Sequence, residues 1–171
     1  MRLAYAPTPQ RLTCDAIAKP LNYNYRIILF DGDKHDRALL ALALRSALPN
    51  AEILEASSSV EVAHHVSAGA VDALIADPVG RFGEIISVIL DIRRRHPACL
   101  AWLFSGEGSL PPQRDCIGRG IDGRVAKTSS GFLDLPKDLF ERLRWFRELT
   151  NRLPIDSSLV FSSVFPGATC L

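Results

Sequence analysis

The chain has 171 residues, 20 Lys+Arg against 19 Asp+Glu for a net charge of +1, with 47% hydrophobic and 23% charged residues. That length suits one domain with some extra chain, and the composition is that of a folded protein, not a disordered one. The near-balance of charge argues against coating nucleic acid or lying on a membrane surface, since both draw on a basic excess. No apolar run approaches the roughly 20 residues that span a bilayer, and the opening MRLAYAPTPQRLTCD lacks the apolar stretch of a secretory signal. A cytoplasmic location is expected. Cys14, Cys99, Cys116 and Cys170 form no C-x-x-C pair and His64–His65 are adjacent, so reduced thiols are expected and no zinc site.

Tyr25–Phe30 (YRIILF) reads as a short strand ending in Asp31. From Lys34 to Leu48 the residues Leu39, Leu40, Ala43, Leu44 and Ala47 fall at helical spacing. Ala51–Glu55 is a second strand, and Ser57–Ser59 offer N-caps for a helix running to about Ser67, with Gly69 as its stop. Val71–Ala76 (VDALIA) is a third strand, ending in Asp77; Gly83–His96 is a helix with a basic last turn, closed by Pro97. Leu100–Phe104 is a fourth strand, running into Ser105; Pro111–Pro112 start a short helix reaching Ile117. Gly123–Ala126 is a fifth strand ending in Lys127, and the spacing predicts a last helix from about Leu135 to Leu149.

Five consecutive β–α units with near-continuous apolar strands predict an α/β fold, a doubly wound five-stranded parallel sheet covered on both faces. The domain is expected over residues 25–150, with an N-terminal arm at 1–24 and a C-terminal tail at 151–171. The tail is too short for a helix-turn-helix module, so action through protein contacts and not nucleic acid is expected.

Ligands of open α/β sheets bind beyond the carboxyl ends of the strands. Here those ends carry Asp31 with Asp33, then Asp77, Ser105 and Lys127. Converging carboxylates repel unless a cation sits between them, and oxygen-only ligation by Asp31, Asp33 and Asp77 suits Mg²⁺. A hydroxyl and an ammonium nearby would bind further phosphoryl oxygens, with a carboxylate as acceptor.

On RIILFDGDKHDR, VDALIAD, LFSG and GIDGRVAK, from about Tyr25 to Trp145, the sequence resembles the receiver domains of bacterial response regulators. The resemblance implies a flavodoxin-like sheet of order 2-1-3-4-5 and a signalling domain, not an enzyme. It implies that Asp77 takes a phosphoryl group from a histidine kinase or phosphotransfer protein, that Asp31 helps hold Mg²⁺, and that Ser105 and Lys127 follow the phosphoryl oxygens. The chain departs from the family pattern in four places. Gly32 stands where a second acid usually ligates the metal, leaving Asp33 as a substitute. Asp77 is followed by PVGRFG, without the usual Met-Pro turn, and Pro78 removes a backbone N–H beside the acceptor. Arg124 stands where a switch aromatic would be, and Thr128 where proline is common.

Two other readings compete. A receiver-like interaction module would never be phosphorylated, which Gly32, the altered loop and Arg124 favour. A haloacid-dehalogenase-like phosphohydrolase would use Asp31 as nucleophile and Asp33 as acid/base, but only Asp134 and Asp138, beside Pro136, follow the lysine where a strand-end acidic pair is needed. The last helix, with Phe140 and Trp145, and the apolar tail form the expected homodimer or partner surface.

Overall fold

A computed structural model of the chain describes residues 24–152. Except for Asn24 and the end of the last helix, the expected arm and tail lie outside the described residues, and so does the part of the dimer surface assigned to the tail.

The elements run β1 (Arg26–Phe30), α1 (Lys34–Ala47), β2 (Glu52–Ala56), α2 (Ser59–Ala68), β3 (Ala73–Ala76), α3 (Phe82–Arg95), β4 (Leu100–Ser105), α4 (Gln113–Cys116), β5 (Gly123–Ala126) and α5 (Ser129–Arg152). All strand pairs are parallel and the order is β2-β1-β3-β4-β5, as expected. Side chains alternate across a strand, so the central strands feed two cores. Ile27 and Leu29 face one side with Ile75, Trp102 and Phe104, under Leu40 and Leu44 of α1 and Leu135, Leu139 and Leu143 of α5. Ile28 and Phe30 face the other with Leu74 and Leu103, under Val62 of α2 and Ile85, Ile89 and Ile92 of α3. Each such fully buried side chain contributes on the order of 2 kcal/mol.

The helix ends follow local chemistry. Ser58 caps α2 by accepting from the Glu61 N–H, and the Glu61 carboxylate accepts from the Ser57 N–H in return. In α1 the buried stripe is Leu40, Ala41 and Leu44, while Leu39 is 50% exposed, so the apolar face is rotated from the expected one. The larger difference is α5, which begins at Ser129 and carries Pro136 inside it. Thr128 Oγ1 accepts from the Gly131 N–H at 3.0 Å, a side-chain cap that starts the helix well before the proline. Phe132 then packs edge-on against Phe104, 4.8 Å between centroids, which holds the added turn onto the sheet. Gly131 is required there, since a Cβ would lie 1.9 Å from Ala126 O.

At the edge where the strands begin, one device occurs twice. Asp72, just before β3, donates its N–H to Arg26 O and accepts the Arg26 N–H on its carboxylate. Asp122, just before β5, makes the same two-way ring with Ala101 of β4. Arg147 of α5 pairs with Asp72 at 2.8 Å, and Arg93 of α3 pairs with Asp122 at 2.5 Å.

Candidate functional site

At the opposite edge the ladders run one residue past the strands. Asp31 N–H donates to Ala56 O, Asp77 N–H to Phe30 O and Lys127 N–H to Ser105 O. Those bonds fix the backbone of three predicted site residues, and β4 ends on the fourth, Ser105, which is fully buried.

The side chains converge on Lys127. Its Nζ lies 2.6 Å from Asp31 Oδ2, 2.6 Å from Asp77 Oδ2 and 2.8 Å from Asp36 Oδ2. An ammonium has three donors, and all three are used in a side chain only 10% exposed. Ser105 Oγ donates to Asp77 Oδ1 at 2.6 Å, and the Val79 N–H donates to the same oxygen at 3.0 Å. Val79 thereby supplies the backbone donor that Pro78 lacks.

The electrostatics follow. Burial pushes the Asp77 carboxyl up, but hydrogen bonds from Lys127, Ser105 and the Val79 N–H outweigh it and leave its pKa below the usual value. Burial pulls Lys127 down, and its bonds to Asp31, Asp36 and Asp77 outweigh that, raising it above an ordinary lysine. At neutral pH Asp77 is an ionised carboxylate held by a permanent cation.

Asp31, Asp77, Ser105 and Lys127 are therefore brought together as the spacing predicts, but Asp33 is not among them. Its Oδ1 accepts from the His35 and Asp36 N–H groups as the N-cap of α1, and those bonds hold its pKa down. The third acid of the cluster is Asp36, on the first turn of α1. Sequence reading passed over it because it lies within a helix and not at a strand end. The phosphohydrolase reading loses its acid/base here, and Asp134 and Asp138 lie on α5 and not at a strand end.

The resemblance implies Mg²⁺ held by Asp31, Asp33 and Asp77, and the geometry does not bring those three carboxylates together. Asp31 Oδ1 accepts from the Asp33 N–H and Oδ2 from Lys127, and since each carboxylate oxygen has a second lone pair these bonds alone do not exclude Asp31 or Asp77 as ligands. What is missing is a further acid turned to the same side: Asp33 is committed to its helix, and Asp36, on the first turn of α1, has its Oδ2 on Lys127. Gly32 offers no side chain, and a Cβ there would meet Arg81 Nη2 at 3.0 Å. Among the described residues no group of three or more His, Cys, Asp or Glu is arranged to hold a metal ion.

Arg124 projects outward from β5, its Nε donating to Gln113 Oε1 at 3.0 Å and its Nη1 to Pro111 O at 2.9 Å. It ties the short α4 to the sheet where a switch aromatic was expected to be missing. On α5, Phe140 is 36% and Trp145 54% exposed.

No protein-family description and no curated protein matches the chain. Solved structures do. A response regulator from Thermotoga maritima aligns with TM-score 0.57 and 16% identity, covering 71% of this chain and 99% of that one. A response regulator receiver domain protein from Clostridium thermocellum aligns at 0.58 and 17%, covering 73% and 98%. The chemotaxis response regulator CheY4 of Vibrio cholerae aligns at 0.53 and 17%, covering 72% and 99%. Residues 24–152 have the flavodoxin-like fold of response regulator receiver domains. No described helix is long and apolar enough to cross a membrane.

Proposed function

We propose that this chain is a two-component signalling receiver that accepts a phosphoryl group on Asp77. The observation that carries the reading is the Asp77 carboxylate held by both Ser105 Oγ and Lys127 Nζ, each at 2.6 Å. A lone pair of an Asp77 oxygen attacks phosphorus of a phosphohistidine. The new P–O bond forms as the P–N bond breaks, and its electron pair leaves with the imidazole, which takes a proton from solvent. Lys127 and Ser105 are placed to bind the phosphoryl oxygens, and that regrouping biases the face of α4, β5 and α5 toward a partner. A histidine kinase or phosphotransfer protein as donor and a cytoplasmic location go with this reading. So does a second copy as a partner for the exposed Trp145, a role that sedimentation of Trp145→Ala tests.

The test is intact mass after incubation with acetyl phosphate. One added phosphoryl group is expected, and none in Asp77→Asn, which keeps the size and shape of the residue. The glycine at position 32, in place of an acid, favours the second reading, an interaction module independent of phosphorylation, and no mass gain under any ionic condition would establish that one instead.

A further inference from the structure

We infer that Arg81 is a built-in cation of this site, taking the place of a divalent metal, so that Arg81 and Lys127 together hold a tetrahedral oxyanion. The inference deepens the phosphoacceptor reading and rests on it for the identity of the anion.

Arg81 belongs to the loop that Asp77 opens, and its N–H donates to Pro78 O, closing a turn around Val79 and Gly80. The turn places Gly80 at a φ of 67°, a backbone conformation that glycine adopts without strain. The side chain then reaches back across β1. Its Nη1 lies 3.3 Å from Ser57 O, its guanidinium stacks 5.2 Å from the Phe30 ring centroid, and Nη2 lies 3.0 Å from where a Gly32 Cβ would be. Carbonyl, ring face and bare glycine form a seat for one guanidinium. An acidic side chain at position 32 would start inside that seat.

The charges are equivalent. A carboxylate with a divalent cation adds one net positive charge to a site, and a glycine with a guanidinium adds the same. Asp31, Asp36 and Asp77 bring three negative charges against the one positive charge of Lys127, so a guanidinium beside the cluster offsets one more of them. A guanidinium also binds oxyanions through paired N–H donors, which a metal does by direct coordination.

Two measurements on the full chain test this. In the first, free Mn²⁺ is followed by electron paramagnetic resonance as protein is added. Wild type is expected to leave the signal unchanged, and the Gly32→Asp, Arg81→Ala double variant to remove it. Loss of signal with wild type, or none with a double variant that melts like wild type, overturns the inference. In the second, acetyl phosphate labelling is read by intact mass in Mg²⁺ and in EDTA. Wild type is expected to label equally in both, and Arg81→Ala to label about tenfold less, the effect of one charge-assisted contact. Labelling of wild type in Mg²⁺ alone overturns the inference and leaves the phosphoacceptor reading standing. No labelling in either condition removes the phosphoacceptor reading, and the Mn²⁺ result then decides the role of Arg81 by itself.

Discussion

Asp77 and Gly32 lie just past the ends of adjoining strands, yet their surroundings have opposite character. Around Asp77 a carboxylate is enclosed by donors: an ammonium, a hydroxyl and a backbone N–H. Around Gly32 there is no side chain, and a guanidinium stands where one would project. A site can thus keep its acceptor's hydrogen bonds whole while changing how its charge is balanced. The first property depends on strand ends and the second on a loop.

The strongest way to break the comparison is Lys127→Met, which leaves Asp31, Asp36 and Asp77 facing one another with no ammonium. A loss of about 3 kcal/mol at neutral pH is expected from urea unfolding. The pH dependence has a definite sign. Asp77, with its pKa lowered, stabilises the fold above its ordinary value of 3.8 and loses that contribution as pH falls through the lower folded value. Lys127, with its pKa raised, stabilises fully below 10.5 and loses that contribution as pH rises through the higher folded value. The contribution of this pair to wild-type stability is therefore flat between those limits, whereas the crowded acids of Lys127→Met take up protons more readily, so the difference between the two proteins shrinks as pH falls below neutral; a difference that stays constant there would contradict the pairing.

Next in size is Gly131→Ala, whose Cβ would meet Ala126 O at 1.9 Å and push α5 off the residue before Lys127. About 2 kcal/mol is expected, while Gly108→Ala, with open space around it, leaves the melting temperature unchanged. Asp33→Ala sharpens the contrast. It removes a helix cap at about 1 kcal/mol, and phosphoryl uptake measured by intact mass stays at the wild-type level; a fall in uptake would return Asp33 to the site. The smallest effect belongs to Arg124→Ala, less than about 0.5 kcal/mol, read as faster amide exchange confined to α4 and the residues before it.

Much of this was legible in the sequence, for identifiable reasons. The apolar runs of β1, β3 and β4 are buried on both faces, so their composition betrays them, and in a parallel sheet the residue after each strand falls at the ligand-binding edge. Asp31, Asp77, Ser105 and Lys127 were found that way. Asp33 was misplaced because a cap and a ligand look alike after a strand, and two backbone N–H groups claimed its carboxylate. Asp36 and Arg81 escaped because reach across a fold has no signature in spacing. The early start of α5 escaped because Pro136 reads as lying at a helix start, whereas close packing on β5 selects Gly131 and the helix carries the proline inside it.

The paired rings at Asp72 and Asp122 bear on the other edge of the sheet. Strands that are apolar on both faces carry little information about which residue should lie beside which, because a slip by one exchanges one apolar side chain for another. Each ring indexes a pair of strands to a single alignment, since the backbone N–H and the side-chain acceptor of one residue must both meet the same neighbouring residue. A slip of one residue displaces a strand end by about 3.3 Å, enough to carry Asp77 away from a lysine that must meet it at 2.6 Å. Two aspartates at the edge away from the chemistry thus act as its zero mark, from which the positions of Asp77, Ser105 and Lys127 are counted along the strands.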